Sequence, residues 1–250
     1  DNVPNNGSLL KKHMFELANK NSNDNTGTDT EAFKTFLTKK CVFLNTMVDR
    51  ITSQREGTNG MIPRAEPVPA KALVILDVNG DLPVSLTNVQ SSHHEQKSQE
   101  DDNDEDADDD DDDDYEYGVV VRSTPAQLQA DIALKLRIAN GTHTAVAHLL
   151  ALTGHTMTDA LSRSTDTTAS SSGGPIMINY LDALFHDQIS AAGAPGLPHH
   201  SIEAAAVYDD WRKRLMHPHF GLSSFFITQN GPSKGGIRLG PTVQDLIETS

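Results

Sequence analysis

Apolar residues recur every three or four positions over several stretches of the chain, which predicts amphipathic helices. In the first half this pattern predicts a helix from Ser8, its N-cap, to Lys20, and a second helix from Thr30 to Lys40. Two short apolar runs, Cys41 to Leu44 and Ala72 to Leu76, instead predict buried strands, because they are too short for stable helices. A third run, Gly118 to Arg122, predicts another strand.

The second half of the chain is predicted to be mainly helical. Thr124 as N-cap and Pro125 at the first helical position begin a long stretch of apolar residues at helical spacing, and Gly154 is expected to end it. Further helices are predicted at about Ile178 to Ala191 and about Ile202 to Met216. The chain therefore combines an α/β first part with an α-helical second part.

One acidic segment, residues 90–117, interrupts this pattern. Thirteen of the 35 acidic residues lie between Glu100 and Asp114. Their mutual repulsion and the near absence of aliphatic residues predict a disordered insert. Outside this tract 22 acidic residues nearly balance 20 basic ones. No basic stripe of the kind that contacts a phosphate backbone is present, so we expect no nucleic-acid partner.

The single cysteine, Cys41, excludes an intrachain disulfide and makes a cysteine-based zinc site unlikely to form. His199-His200 and His217-Pro218-His219 lack the spacing of a metal site, so we expect no metal. With no apolar run of about 20 residues, we expect a cytoplasmic protein outside the membrane. Because the sequence starts with Asp1 and not Met, we also expect it to begin inside a longer protein.

Three polar residues carry the candidate chemistry: Lys135, Asn140 and His143. On one continuous helix they fall within an arc of about 140° and could face one pocket. A partly buried lysine can accept the proton of an alcohol, and an asparagine amide can stabilise charge on its oxygen. Solvated surface residues are the alternative interpretation of the same spacing.

Several segments resemble the mannitol dehydrogenase family, the polyol-specific long-chain dehydrogenases. Leu134 to His143 is similar throughout to the family's catalytic segment, whose pattern is Lys-x4-Asn-x2-His. Val42 to Thr52 resembles the family sequence around Val-Asp-Arg, and Asp1 to Gly7 and Glu66-Pro67 also fit in order. His217 to Lys234 is similar to the family's substrate-binding segment.

The resemblance implies catalytic and substrate-binding residues. The catalytic residues are Lys135 as general base, Asn45 and Asn140 holding the substrate oxygen, and His143 orienting the substrate. The implied substrate contacts are Asp49, Arg50 and Lys234. A surface ion pair is the alternative for Asp49 and Arg50, and a solvated loop position is the alternative for Lys234.

Three positions depart from the family pattern. Cys41 and Ser53 stand where an aliphatic residue and often a proline are expected, and Phe226 replaces an arginine that contacts the polyol in mannitol dehydrogenases. Relatives that act on hexuronates, such as tagaturonate reductase, also lack this arginine. The implied activity is therefore NAD- or NADP-dependent oxidation of a CH–OH group in a polyol or sugar acid, with mannitol, another hexitol or a uronate left open.

The resemblance also implies the domain organisation. Residues 1–123 would be the C-terminal part of an NAD(P)-binding, Rossmann-type α/β domain with the acidic insert, and residues 124–250 a mannitol dehydrogenase-like helical domain. No Gly-x-Gly-x-x-Gly fingerprint occurs in the sequence. The alternative is therefore a non-catalytic remnant whose acidic tract binds basic partners such as histones.

Overall fold

The structure is a computed structural model. It describes residues 3–21, 29–49, 52–54, 63–65, 71–87, 118–156, 158–161, 174–186, 200–217 and 222–249. The chain divides into two compact units. The first unit comprises Asp1–Arg50 and Ala70–Leu128, and the second comprises Ile51–Pro69 and Gln129–Ser250. The predicted acidic insert lies outside the described residues.

Short strands and longer helices build both units. The strands are β1 (Thr46–Val48), β2 (Thr52–Gln54), β3 (Pro63–Ala65), β4 (Lys71–Leu76) and β5 (Gly118–Arg122). The α-helices are α1 (Asn6–Asn21), α2 (Thr30–Lys40), α3 (Val84–Thr87), α4 (Pro125–Ala133), α5 (Asn140–Leu152), α6 (Gly174–Ala183), α7 (His200–Leu215), α8 (Ser224–Thr228), α9 (Gly231–Arg238) and α10 (Gly240–Thr249). A π-helical segment, Leu134–Ala139, joins α4 to α5, and a 3₁₀ helix covers Thr158–Leu161.

A mixed three-stranded sheet forms the centre of the first unit, in the order β1-β4-β5. Strand β1 runs antiparallel to β4, and β4 runs parallel to β5. Met47, Val74 and Val120 face one another across the three strands, and all three are buried. The strands predicted at Ala72–Leu76 and Gly118–Arg122 are thus confirmed, the first with one additional residue.

The start of α1 differs from the prediction. The helix begins at Asn6 and not after Ser8, because Asn5 adopts a left-handed conformation with φ of 53°. The N–H of Ser8 then donates to the side chain of Asn45 at 3.0 Å. A helix-terminal N–H that usually needs a local cap is therefore satisfied from a distant segment.

The predicted strand at Cys41–Leu44 was wrong, since the strand of this region is β1, further along the chain. Gly7 explains part of this shift, because its backbone passes so close to Leu44 that an added Cβ would lie 2.1 Å from the Leu44 carbonyl oxygen. The sheet bonding starts one residue later, where Leu76 N–H donates to Asn45 O at 2.9 Å. Only a glycine fits this crossing.

The second unit is mainly helical and buries a core around the single tryptophan, Trp211. Among the described residues, its largest hydrophobic cluster joins the π-helical segment, α5, the 3₁₀ helix, α6 and α7 through Ala139, Val146, Leu150, Leu161, Ile178, Leu181, Trp211 and Leu215. The helix predicted from Ile202 to Met216 is confirmed as α7 with small shifts at both ends. The helix predicted at Ile178 starts earlier, at Gly174, and residues 187–199 lie outside the described part.

The helix that starts after Thr124 follows its prediction at both ends. Thr124 Oγ1 accepts a hydrogen bond from the N–H of Gln127 at 3.4 Å, and Gly154, with φ of 80°, follows the end of α5. Its middle departs from the expected continuous α-helix through the π-helical segment. None of the helices in the described part of the chain combines the length and apolar character needed to cross a bilayer.

Candidate active site

The π-helical segment brings Lys135 and Asn140 onto neighbouring turns. The N–H of Asn140 donates to the carbonyl oxygen of Lys135, which is the i to i+5 bond that defines a π-helix. In an α-helix, residues five apart would differ by about 140° around the axis. The π bond instead stacks them on one side, so two of the predicted catalytic residues share a face. Such π segments occur frequently at functional sites.

Lys135 is buried, with 7% of its surface exposed. Lysine is among the residues least often buried in proteins, because an ammonium group loses its hydration there. This burial excludes the interpretation of Lys135 as a solvated surface residue. It also removes water from the place where the predicted base would act.

His143 lies one turn further along α5, against the edge of Trp211. The centroids of the two rings are 5.1 Å apart, with an angle of 64° between their planes. Burial, followed by the positive charges of Arg238, Lys234 and Arg214, lowers the pKa of His143 to about 3. The imidazole is therefore neutral at physiological pH, and a neutral imidazole can both donate and accept a hydrogen bond.

Helix α9 supplies two of the cations beside His143. Lys234 and Arg238 are four residues apart and share one face of this helix. Arg238 donates from Nη1 to Thr144 Oγ1 at 3.1 Å, and Thr144 donates to the carbonyl oxygen of Asn140 at 2.8 Å. A hydrogen-bonded chain thus connects α9 to the first turn of α5.

Lys234 is half-buried in α9 and does not lie in a loop, so its alternative interpretation as a solvated loop residue was wrong. Its Nζ donates to Ile227 O at 2.8 Å and lies 6.0 Å from the centre of the Phe226 ring. Burial, and then the charge of Arg238, lowers the pKa of Lys234. Phe226 itself is 66% exposed, so it adds an apolar surface beside this amine.

Asn45 and Asp49 belong to the first unit, where backbone groups engage both residues. Asn45 Oδ1 accepts from Ser8 N–H, and Asp49 N–H donates to Ala72 O at 3.3 Å. Arg50 lies outside the described residues. The structure therefore places Lys135, Asn140, His143 and Lys234 in one unit, and the roles predicted for Asn45, Asp49 and Arg50 stay predictions.

Sequence reasoning missed Arg238, Thr144 and Trp211 in this neighbourhood. Arg238 carried a usable signal, because a Lys-x3-Arg pair on one helix places two like charges side by side. Trp211 and Thr144 carried none, since their contacts with His143 and Arg238 join helices distant in sequence.

A small cleft of about 50 Å³ opens on another side of α5. Its lining includes Arg137, Gly141, Leu181, Phe185 and Tyr208, and none of the predicted site residues. We therefore assign the candidate chemistry to the buried lysine and its neighbours and not to this cleft. Among the described residues, no group of three or more His, Cys, Asp or Glu side chains converges as a metal site would require.

The residues described here do not fit a dinucleotide site. A Rossmann-type site needs a glycine-rich turn between a strand and a helix, where backbone N–H groups contact the pyrophosphate. The glycines of α9, Gly235 and Gly236, lie inside a helix and follow no strand. The described part of the chain therefore supplies candidate catalytic residues without a recognisable nucleotide-binding turn.

Comparison with known proteins identifies the fold. No protein-family model matches the chain, and no curated protein sequence gives a significant match. Among solved structures, a D-sorbitol dehydrogenase in substrate-free form is similar over 99% of this chain, at 18% identity and a TM-score of 0.62. The mannitol 2-dehydrogenase of Pseudomonas fluorescens, in a ternary complex with NAD and D-mannitol, is similar over 99%, at 19% identity and a TM-score of 0.55.

This chain spans 43% of the length of the first structure and 42% of the second. At these identities the likeness establishes a shared fold. Both neighbours are polyol dehydrogenases, so the resemblance found in the sequence is confirmed at the level of the fold.

Proposed function

We propose that this chain carries the catalytic lysine segment of an NAD(P)-dependent oxidoreductase that acts on the CH–OH group of a polyol or sugar acid. The observation that carries the proposal is the buried Lys135, stacked one π turn from Asn140. The shared fold with two polyol dehydrogenases supports the same activity.

Oxidation of an alcohol removes a proton from the oxygen and a hydride from the carbon. In this proposal Lys135 accepts the proton as general base, and the amide of Asn140 donates a hydrogen bond to the same oxygen. The neutral imidazole of His143 orients a substrate hydroxyl. By resemblance, Asn45 is the second amide donor, and Asp49, Arg50 and Lys234 contact the substrate.

The cofactor part of the proposal rests on the fold neighbours, one of which was solved with NAD. In the proposed organisation residues 1–123 belong to the NAD(P)-binding domain and residues 124–250 form the mannitol dehydrogenase-like domain. The proposal covers both NAD and NADP. Because the sequence has no Gly-x-Gly-x-x-Gly fingerprint, we expect no change in NADH fluorescence when this chain alone is added to NADH.

The proposed setting is cytoplasmic, with a small polyol or sugar acid as substrate. The alternative, a non-catalytic remnant that binds basic proteins through residues 90–117, depends on a segment outside the described part of the chain. An activity test therefore decides between the two functions.

The test replaces Lys135 in the protein expressed from its full gene. Lys135→Met retains most of the side-chain volume without the amine, and Lys135→Ala removes both. Because each variant lacks the base, we expect the turnover number for hexitol oxidation with NAD⁺ or NADP⁺ to fall by about 10²–10⁴-fold. Turnover is followed by the absorbance of the reduced nicotinamide.

Lys213→Met is the matched control, since Lys213 is an exposed lysine of α7. It should retain normal turnover. A Lys135→Met enzyme with the turnover of the unaltered protein would refute the assignment. Absence of any activity on hexitols, ketohexoses and sugar acids would favour the non-catalytic alternative.

A further inference from the structure

Arg238 differs from the other buried or half-buried arginines of the second unit in its partners. Three of them bond a carboxylate: Arg137 bonds Asp245, Arg212 bonds Asp182 and Arg214 bonds Asp210. In the part of the chain that the structure describes, Arg238 bonds only the hydroxyl of Thr144. Burial lowers the pKa of Arg238, and no acidic group among the described residues offsets that effect.

Lys234 adds a second positive charge that has no carboxylate partner among the described residues. It lies one turn before Arg238 on the same face of α9, and its described hydrogen bonds go to the carbonyl oxygens of Phe226 and Ile227. Like charges at this spacing repel each other and destabilise a helix. Two partly desolvated cations beside each other, without a carboxylate among the described residues, form a site of positive potential.

The rings next to these cations also lack partners. Among the described residues, the buried side-chain nitrogens without a hydrogen-bond partner are His143 Nε2 and Trp211 Nε1. These two rings contact each other. Buried polar atoms in proteins are almost always bonded, so two such nitrogens in one contact mark a place where donors and acceptors are not fully paired.

We propose that Arg238 and Lys234, which lie near His143, bind the carboxylate of the substrate, so that the substrate class is a polyhydroxy acid anion and not a neutral hexitol. This inference rests on the proposed oxidoreductase function and names the substrate of that same site. Arg238 is its specificity-determining residue. The guanidinium suits this role because its planar fork can bond both oxygens of a carboxylate, whereas the hydroxyl groups of a hexitol offer no charge.

The location of the cluster fits an oxidation at the other end of the substrate. Thr144 links Arg238 to the carbonyl oxygen of Asn140, whose N–H bonds the Lys135 carbonyl oxygen. The carboxylate contact and the proposed base therefore belong to one hydrogen-bonded segment.

Trp211 provides a direct measurement, because it is the single tryptophan and touches His143. The experiment titrates this 250-residue chain with D-gluconate and with D-sorbitol, which differ in a carboxylate at one terminal carbon, and follows tryptophan fluorescence at constant ionic strength. We expect saturation by D-gluconate at concentrations at least about tenfold lower than by D-sorbitol, since charge-assisted bonds are about twice as strong as neutral ones. Acetate and inorganic phosphate are titrated in parallel.

Four variants distinguish the loss of a positive charge at the proposed site from a general loss of folding stability. Arg238→Gln should weaken D-gluconate binding by about tenfold or more and leave D-sorbitol binding unchanged, whereas Arg238→Lys should retain part of the preference. Lys213→Gln removes one charge from an exposed position of α7 and should change neither affinity. If Arg238→Gln lowers the melting temperature strongly, Lys234→Gln replaces it in the test. This variant should also weaken D-gluconate binding relative to D-sorbitol binding.

The outcomes distinguish this inference from the proposed function. Equal affinity for D-gluconate and D-sorbitol, or an unchanged preference in Arg238→Gln and Lys234→Gln, would overturn the acid substrate and leave a polyol oxidoreductase. Tighter saturable binding of phosphate than of D-gluconate would overturn it in favour of a phosphate site. Failure of both D-gluconate and D-sorbitol to bind would overturn the inference and count against the proposed function.

Discussion

Helices α9 and α10 each form an arginine contact with the π segment or α5, and the two arginines differ in whether a carboxylate neutralises their charge. On the α10 side, Arg137 is buried and bonds Asp245 and the hydroxyl of Thr242. On the α9 side, Arg238 bonds Thr144 with no carboxylate among the described residues. A neutralised cation stabilises the packing of helices, whereas a cation without an acid retains its attraction for an anion. We therefore interpret the α10 side as a structural contact, and the α9 side is the binding surface that we propose.

The largest expected effect is on the α10 side. Asp245→Ala leaves Arg137 buried without its carboxylate, and removal of one partner of a buried ion pair costs about 3–5 kcal/mol of unfolding free energy. Urea unfolding monitored by circular dichroism measures this loss. Glu248→Ala is the control, because Glu248 is an exposed acid of the same helix and should cost less than about 0.5 kcal/mol. Equal losses in the two variants would remove the structural role of the α10 side.

A smaller, pH-dependent effect is expected from His143. Below pH 6.5 the unfolded chain binds a proton at this ring, whereas the folded chain does so only near pH 3. The unfolded state therefore holds more protons between these values, and stability falls as the pH is lowered through that window, by up to about 1.4 kcal/mol per pH unit. His143→Phe retains a ring against Trp211 and should lose less stability over the same range.

Urea unfolding of the unaltered protein and of His143→Phe is measured at pH 7.5, 6 and 5. Because the carboxylates titrate in both proteins, the difference between the two pH profiles gives the contribution of His143. Parallel pH profiles for the two proteins would show that His143 is not held neutral by its surroundings. His143 would then not supply a neutral imidazole near Arg238 and Lys234 of the α9 side.

The smallest effect is expected for Arg238→Met. The arginine has lost part of its hydration without gaining an acidic partner, so its removal should change the unfolding free energy by less than about 1 kcal/mol, in either direction. Thermal unfolding measures the change. A loss as large as that of Asp245→Ala would mean that both sides are structural, and the comparison would fail.

Local pattern in the sequence was sufficient for elements whose ends are set by residues close to them in the sequence. Helix α2 and strands β4 and β5 follow from apolar spacing and length, and Thr124 caps α4 as its position indicates. The start of α1 and the position of β1 could not be found this way. They depend on the bond from Ser8 to Asn45 and on the passage of Gly7 over Leu44, which join segments about 37 residues apart.

The candidate site shows the same division. Resemblance located Lys135, Asn140, His143 and Lys234, and the structure places all four in the second unit. Their catalytic and binding roles stay predictions. The Lys-x3-Arg spacing could have drawn attention to Arg238, but the absence of a carboxylate partner among the described residues is a property that exists only after folding. The π-helical segment could not be predicted either, because apolar spacing of three or four residues indicates a continuous α-helix.

The π-helical segment also holds one more residue between Lys135 and Asn140 than an α-helical turn would. If the same residues were α-helical throughout, Lys135 and Asn140 would lie about 140° apart around the axis although both side chains remain. Deletion of one residue between them would instead place them four apart, and they would again share one face of an ordinary α-helix. The alignment of the two residues thus depends on the number of amino acids between them as much as on their identity.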